Sequence, residues 1–315
     1  MTGSDKIRLL IIGAGKMGHE HANAFSKNIL VEIVAVSSRT SESAMKLAKR
    51  FGLAFYGTDW REEARRSNAT AAVIAVPHLL TEKTAEEVLE YGLHILVEKP
   101  VSLHSVGTKA LGRLAESKGL IAMVAMNRRF YSTVLDAILT SKYYGNILAL
   151  TVIAPDPVSS YRAEGKYDPI VYDEWFKMNT IHIIDLMRLI AGDVLEVNAI
   201  SNKVGYEKSR VALVKFKSGI SGSFVSINSM GGMNQWELIL HGEGVEVRLK
   251  PLERGNIIYA DGSSKPIVIS RKDNMKPGLL AQANTFVNSI LLGKVCFPGS
   301  DLDDHARTLE LAELM

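Results

Sequence analysis

Residues 7–18 read IRLLIIGAGKMG and join a short apolar run to a glycine-rich turn. The run Ile7–Ile12 ends in glycines instead of continuing to helical length, which predicts a buried strand. Residues 13–18 have the spacing G-x-G-x-x-G, and the segment Met17–Lys27 then reads as a helix. In this context the glycines permit a tight turn, close approach of a pyrophosphate and close packing of the helix. The stretch predicts a dinucleotide-binding loop, the alternative being a glycine-rich turn without a ligand.

Strands and helices continue to alternate beyond this turn. Further strands are predicted at Val31–Val36, Ala71–Val76, His94–Val97 and Ile121–Ala125. Helices are predicted between them at Ser41–Phe51, Thr81–Tyr91 and Ser105–Lys118. This alternation is typical of a parallel sheet covered by helices on both faces. Residues 1–125 are therefore predicted to form an α/β domain with the doubly wound parallel sheet of a Rossmann fold.

The pattern changes near Met126. After a helix at Trp175–Ala191 the chain becomes rich in strands joined by short turns, and it returns to helix at Leu279–Leu292 and Leu302–Met315. Consecutive strands with short turns form antiparallel or mixed sheets. Residues 126–315 are predicted to be a C-terminal α+β domain with a large, mostly antiparallel open sheet, which binds the substrate and carries the oligomer contacts.

Composition narrows the class of protein. A length of 315 residues favours two domains, and the net charge of +3 comes from 37 basic and 34 acidic residues that are interspersed. We therefore expect no nucleic-acid partner. Cys296 is the single cysteine, so no internal disulfide is possible. The first apolar run is too short for a signal or membrane segment, which predicts a cytoplasmic protein without a membrane partner.

The end of the second predicted strand bears on the choice of cofactor. An acidic residue about twenty residues beyond the glycine loop usually binds the ribose hydroxyls of NAD. This chain has Ser37, Ser38, Arg39 and Thr40 there instead. A guanidinium flanked by hydroxyls suits a 2'-phosphate, which a carboxylate would repel. The cofactor is predicted to be NADP, with NAD as the alternative and with Arg39 as a solvated surface residue if neither is bound.

The strand His94–Val97 ends in Glu98-Lys99-Pro100. Ligands of this fold bind at the carboxyl edge of the parallel sheet, so Lys99 lies where a substrate proton is exchanged. On its own this pattern fits equally a surface lysine that follows a strand.

Several motifs together resemble one family. The glycine loop, Ala75-Val76-Pro77, Val97-Glu98-Lys99-Pro100 and Asn127-Arg128-Arg129-Phe130 are similar to the glucose-fructose oxidoreductase and inositol dehydrogenase family, often called Gfo/Idh/MocA. The resemblance covers nearly the whole chain and implies that Lys99 is the proton-transfer residue and that the peptide before Pro100 is cis. The predicted cofactor-binding residues are Gly13, Ala14, Gly15, Lys16, Met17, Gly18, Ser37, Ser38, Arg39, Thr40, Val76, Pro77, Glu98, Lys99 and Asn127.

The helix of the second domain carries a polar face. Met178, His182, Asp185 and Leu189 follow one another at spacings of three and four residues, so they share one side of the helix. The alternative is a core histidine paired with a structural aspartate. The family commonly has Asp-x-Gly-x-His-x-x-Asp here, and the resemblance implies that His182 contacts the reacting hydroxyl. Lys99 and His182 are the predicted catalytic residues. The predicted substrate-binding residues are Lys99, Arg128, Trp175, Asn179, His182 and Asp185, with no metal.

The helix motif and one further position depart from the family pattern. Met178 and Thr180 replace the aspartate and the glycine of the helix motif, so a carboxylate is missing beside His182. Asn179 can hydrogen-bond the substrate but cannot titrate. Thr81 stands where many members have a histidine, and His78 nearby receives no role. The arginines at 128 and 129 suggest an anionic substrate such as a sugar phosphate.

These observations predict an oxidoreductase that transfers a hydride between NAD(P) and a small sugar-like or polyol substrate, that is, a dehydrogenase or reductase acting on CH-OH groups. Two alternatives remain open: a catalytically silent NADP-binding sensor or scaffold, and a reductase of a non-sugar carbonyl or dihydrodiol. The open sheet of the second domain needs a cover for its free face, which predicts a homodimer or homotetramer.

Overall fold

The structure is a computed structural model, and it describes residues 6–165, 167–205, 207–228, 231–269 and 275–315. The chain divides into two compact units. The first comprises Met1–Asn127 and Asp273–Ala306, and the second comprises Arg128–Lys272 and Arg307–Met315. Each unit has its own sheet.

The strands and helices are numbered in chain order. The strands are β1 (Ile7–Ile12), β2 (Val31–Ser37), β3 (Phe55–Gly57), β4 (Ala71–Ile74), β5 (His94–Val97), β6 (Ala122–Val124), β7 (Ile147–Pro155), β8 (Val194–Val204), β9 (Glu207–Phe216), β10 (Ser221–Ile227), β11 (Glu237–Gly242), β12 (Val245–Leu249), β13 (Arg254–Tyr259), β14 (Ser264–Val268) and β15 (Ser300–Asp301). The helices are α1 (Lys16–Phe25), α2 (Ser41–Phe51), α3 (Trp60–Ser67), α4 (His78–Tyr91), α5 (Ser105–Ser117), α6 (Ser132–Tyr144), α7 (Val158–Ala163), α8 (Pro169–Asp173), α9 (Ile181–Ala191), α10 (Leu279–Leu292) and α11 (Leu302–Leu314).

The sheet of the first unit has seven strands in the order β15-β6-β5-β4-β1-β2-β3. The six strands β1 to β6 run parallel, and only β15 is antiparallel to its neighbour. The strand order reverses at β1, which pairs with β2 on one side and with β4 on the other. This is the switch point at which open parallel sheets bind nucleotides. The Rossmann fold predicted from the sequence is confirmed.

Both faces of this sheet are buried. Along β1, Leu10 and Ile12 belong to one hydrophobic cluster and Leu9 and Ile11 to another. Successive side chains of a strand point to opposite faces, so a run that is apolar at every position needs helices on both sides. Continuous apolarity from Leu9 to Ile12 is the reason that the sequence pattern identified this sheet.

Helix α10 returns to the first unit from far along the chain. Leu279, Ala283, Phe286 and Val287 are buried in the same cluster as residues of β1 and α1. The rings of Phe25 and Phe286 meet edge to face with centroids 6.0 Å apart. The first unit therefore includes Asp273–Ala306, whereas the sequence assigned all residues after 125 to the second domain. Apolar residues at helical spacing predict that a helix is buried, but they do not identify the sheet that it covers.

The sheet of the second unit has eight strands in the order β14-β13-β12-β11-β7-β10-β9-β8. Only β7 and β10 pair in parallel, and the other neighbours are antiparallel. One face packs against α6, α9 and α11 in a single hydrophobic cluster. The predicted α+β domain with a large, mostly antiparallel sheet is confirmed.

The sequence missed several short elements. Helix α3 is rich in charge, and two of its four buried residues are polar. Its clearest signal is Asp59, whose side chain accepts a hydrogen bond from the backbone of Arg61. Two short helices, α7 and α8, lie near Pro157 and Pro169. The helix predicted from Trp175 onward begins with a π-helical turn at Phe176–Thr180, and regular helix follows in α9. No helix in the described parts of the chain combines the length and the apolar character that a membrane span requires.

Candidate functional site

The glycine loop has the geometry of an anion cradle. Gly13 has φ +105°, which favours glycine, and a Cβ there would overlap the carbonyl oxygen of Ala75. A Cβ on Gly18 would overlap the carbonyl oxygen of Gly13, so α1 packs directly on the turn. Gly15, by contrast, faces open space within 4 Å and begins α1 without a side-chain cap. The backbone N–H groups of Lys16 and Met17 therefore lie at an accessible helix N-terminus, which suits a pyrophosphate.

The end of β2 lies against this loop. The N–H of Gly13 donates to the carbonyl oxygen of Ser37 at 2.8 Å, and the N–H of Ala14 donates to Oγ of Ser38 at 3.4 Å. Arg39 is exposed just beyond. Thr40 caps α2, since its Oγ1 accepts the N–H of Ser43 at 3.3 Å. The residues predicted to select the cofactor are thus adjacent to the loop, and no carboxylate is among them.

The lysine motif follows β5 at the same edge of the sheet. Glu98 is buried, and its Oε1 lies 2.8 Å from Nε2 of His21 on α1. Burial alone raises the pKa of Glu98, but the hydrogen bond with His21 and the charges of His21, Lys99 and Lys276 outweigh it and hold this pKa below its usual value. Glu98 is therefore an ionised anchor between β5 and α1, and Lys99 follows it half-buried. The peptide before Pro100 is cis, as the resemblance implied.

Two other predicted residues lie on this side of the first unit. Val76 and Pro77 connect β4 to α4, next to the contact between Gly13 and Ala75. Asn127 is buried, and its Nδ2 donates to the carbonyl oxygen of Pro277 at 3.0 Å. In the described structure its amide therefore joins two distant segments of the first unit.

The sequence assigned no role to His78, which starts α4. Burial and the charge of Lys99 lower the pKa of His78 to about 4, and the charge of Glu98 opposes this only in part. Its imidazole is neutral at physiological pH. A neutral ring near Lys99 adds no positive charge to the edge of the sheet that carries this lysine.

In the second unit, Asp185 is fully engaged by other side chains. Oδ2 accepts Nε of Arg129 at 2.6 Å, and Oδ1 accepts Nη2 of the same arginine at 2.5 Å. Thr308 Oγ1 donates to Oδ1 at 3.2 Å, and both members of the ion pair are buried. This bidentate pair ties α9 to the turn at residues 127–130. The structural interpretation of Asp185 is therefore favoured over the predicted contact with substrate, and Arg129 is not available to an anion.

Trp175 lies in a cluster of aromatic side chains. Its ring stacks on Tyr172 with an interplanar angle of 8°, and Tyr161 and Tyr167 pack around it. The side chain is 8% exposed. These contacts favour packing over the predicted stacking of Trp175 on a sugar ring.

The sequence missed a carboxylate beside the π-helical turn. Asp156 directly follows β7, and its Oδ2 accepts the hydroxyl of Thr180 at 3.0 Å. Its Oδ1 lies 3.3 Å from Nδ2 of Asn179. Burial raises the pKa of Asp156 to about 6, although these hydrogen bonds and the charge of Arg128 lower it. The only signal in the sequence was an acidic residue between two prolines, which marks a loop and not a site.

His182 and Arg128 are two further predicted site residues in the second unit. His182 is buried in the first turn of α9, two residues after Thr180. The guanidinium of Arg128 lies 4.6 Å from the ring centroid of Trp236, and Nη2 contacts the sulfur of Met233 at 2.6 Å. Its Nη1 has no hydrogen-bond partner among the described residues. A buried guanidinium with an unused donor is a candidate for binding an acceptor atom of a ligand.

Comparison with known proteins places these features in a class. Residues 7–126 match the sequence model of the Gfo/Idh/MocA family, described as an oxidoreductase family with an NAD-binding Rossmann fold. The fold, the glycine loop and this match define a Rossmann-fold oxidoreductase that uses a nicotinamide cofactor. Residues 7–126 thus match the Gfo/Idh/MocA family, as the motifs of the first domain indicated, and the curated relatives of the chain are dehydrogenases.

Relatives extend the similarity to the second unit. The chain is 24% identical over 302 residues to a 4-carboxy-2-hydroxymuconate-6-semialdehyde dehydrogenase from Sphingobium sp., covering 91% of each protein. It is 27% identical over 214 residues to a levoglucosan dehydrogenase from Pseudarthrobacter phenanthrenivorans, covering 60% of this chain and 52% of the relative. A dehydrogenase structure from Chromobacterium violaceum superposes with a TM-score of 0.87 at 16% identity, over 99% of this chain and 94% of the other. This last likeness shows the fold alone.

Proposed function

We propose that this protein transfers a hydride between NADP and a hydroxyl-bearing carbon of a small, sugar-like or polyol substrate. The main support for the proposal is the arrangement of two motifs at the carboxyl edge of the first sheet. There the cradle at Gly15 follows β1 and the lysine motif follows β5, at the same edge of one parallel sheet with β4 between them. The ionised Glu98 fixes the backbone next to Lys99. The names of the relatives, one acting on a semialdehyde and one on levoglucosan, support a hydroxyl or carbonyl substrate.

Different residues of the chain bind the cofactor and transfer the proton. The bound nicotinamide supplies a hydride acceptor in one direction and a hydride donor in the other. The uncapped N-terminus of α1 binds the pyrophosphate through Lys16 and Met17 backbone groups. Lys99 removes the proton of the reacting hydroxyl, or returns it to the carbonyl oxygen in the reverse direction. In the second unit, His182 is proposed to hydrogen-bond a hydroxyl of the substrate. A screen that follows the absorbance of the reduced cofactor over polyols, sugars and sugar acids tests the proposal, and a panel without any turnover refutes it.

Preference for NADP is proposed from the end of β2. Ser38 touches the loop, Arg39 is exposed next to it, and no acid is present to repel a 2'-phosphate. Arg39→Ala is expected to weaken NADPH binding by about ten- to a hundredfold, the worth of a charge-assisted hydrogen bond, and to leave NADH binding almost unchanged. Titrations of the protein fluorescence with both cofactors measure this difference.

Arg65→Ala on α3 is the matched control for this titration, because Arg65 is an exposed arginine of the same unit outside the predicted site. It is expected to bind both cofactors like the unchanged protein. Equal weakening of NADPH and NADH binding by Arg39→Ala would contradict a contact with the 2'-phosphate.

The free face of the second sheet is proposed as a contact between identical chains. Ile200, Val211, Val225 and Ile153 stand opposite one another on the four neighbouring strands β8, β9, β10 and β7. Ile200 is 77% exposed and Val211 is 47% exposed. An apolar row of this kind on a sheet is economically covered by a second copy of the chain. We propose a homodimer or homotetramer.

Ile200→Glu is expected to shift the mass in solution towards the monomer, because it places a charge in the middle of the apolar row. The side chain is exposed, so the fold of the chain should be preserved. Light scattering after size-exclusion chromatography measures the mass. Ile29→Glu, at an 84% exposed position of the first unit, is the control and should leave the mass unchanged. A monomeric mass of the unchanged protein would refute the proposal.

A further inference from the structure

The carboxylate of Asp156 is held in a rigid frame. The N–H of Asp156 donates to the carbonyl oxygen of Ile227 at the end of β10, at 2.8 Å. The N–H of Val158 donates back to the carbonyl oxygen of Asp156 at 3.0 Å. The first bond ties the backbone of Asp156 to β10, the second closes a local turn, and the residue is only 1% exposed. The position of its side chain is therefore set by the sheet.

The partners of this carboxylate are neutral. Thr180 and Asn179 donate to it, and it forms no ion pair within the part of the chain that the structure describes. The titratable groups that act on it are the guanidinium of Arg128 and the phenol of Tyr161. Burying a carboxylate without a cationic partner costs free energy that an asparagine would not cost. Hydrogen bonding to Asn179 and Thr180 alone does not explain an acid at this position.

The location of Asp156 corresponds to a gap in the helix motif. Position 178, where the resemblance to the family implies an acid, is occupied by the buried Met178. The side chains at the next two positions, Asn179 and Thr180, both turn to Asp156. The stretch that leads into His182 thus has a carboxylate beside it, and that carboxylate comes from β7 and not from the helix.

We propose that the carboxylate of Asp156 binds substrate in the second unit of this enzyme. It orients Asn179 and accepts a hydrogen bond from a hydroxyl of a polyhydroxylated substrate. The inference rests on the proposed dehydrogenase function. Asp156 is a positioning and specificity residue, distinct from the proton transfer at Lys99. An acceptor with two oxygens distinguishes a polyol from a simple alcohol, since the second hydroxyl finds a partner only in the polyol.

The pH dependence of turnover tests this role. Asp156 binds substrate as the carboxylate, so kcat/KM of the unchanged enzyme should rise as the pH increases through about 6. The charge of Arg128 and the neutral phenol of Tyr161 stay constant in this range. Asp156→Asn is expected to abolish this rising limb of the pH profile of kcat/KM. It should also raise KM for the polyol by about tenfold or more and leave the Kd of NADPH unchanged. Asp136→Asn, at an exposed acid of α6, is the control and should keep the limb.

A second variant keeps the test informative if Asp156→Asn fails to fold. The hydroxyl of Thr180 lowers the pKa of Asp156, so Thr180→Val should move the limb to higher pH. If Asp156 serves only for packing, the rise of kcat/KM with pH stays in place in this variant. An unchanged limb and an unchanged KM in Asp156→Asn, or an unmoved limb in Thr180→Val, overturns the inference. If the unchanged protein binds NADPH but turns over no member of the panel, the dehydrogenase proposal itself has failed, and that result precedes any variant.

Discussion

Lys99→Ala is expected to lower turnover by about two to four orders of magnitude, the usual contribution of a positioned general acid or base. The physical reason is that removal of a hydride from a carbon bearing a hydroxyl requires the hydroxyl proton to leave as well. Lys99 follows β5 at the edge where the glycine loop lies, and Glu98 is locked to His21 beside it. The measurement is kcat with the best substrate of the panel, together with the Kd of NADPH.

The Kd of NADPH separates chemistry from binding in this variant. It should change little, because the phosphate cradle is built from backbone groups of the loop. Lys83→Ala, at an exposed lysine of α4, is the matched control and should retain full turnover. Near-normal turnover in Lys99→Ala would assign the proton transfer to another group. A parallel loss of cofactor affinity would point to a binding role.

The first unit was largely predictable because its sheet is buried on both faces. Runs such as Leu9–Ile12 and Ile95–Val97 are apolar without interruption, and each ends at a turn with a distinct motif. Strand β3 and helix α3 were missed for the opposite reason. The three residues of β3 are half-buried or exposed, and α3 is mostly charged, so neither has a strong periodic pattern.

The roles of polar residues in the second unit were harder to predict. Helical spacing placed His182 and Asp185 on one side of a helix, but it did not reveal that Arg129 engages both oxygens of the aspartate. That pairing joins residues far apart in sequence. Asp156 was missed because its partners, Asn179 and Thr180, belong to another element. Spacing along one helix predicts which side chains are neighbours within that helix. It does not predict which side chains of the sheet contact the helix.

The glycine loop offers a substitution that separates folding from cofactor binding. Gly15 has φ −80° and ψ −171°, which other residues adopt, and a Cβ there meets nothing within 4 Å. It is also the N-cap of α1, a position at which aspartate and asparagine are favoured. Gly15→Asp should therefore fold normally, but its carboxylate would stand where the pyrophosphate is expected. Repulsion between like charges at about 4 Å costs about 4 kcal/mol at the effective dielectric of a protein surface.

Titration of the unchanged protein, Gly15→Asp and Gly15→Asn with NADPH and NADH is the most direct test that this chain is a nicotinamide-dependent enzyme. Protein fluorescence gives the Kd, and thermal unfolding shows that each variant is folded. We expect saturable binding to the unchanged protein, more than about a hundredfold weaker binding to Gly15→Asp, and a smaller effect of the neutral Gly15→Asn. Failure of the unchanged protein to bind either cofactor, or undiminished binding by folded Gly15→Asp, would contradict it.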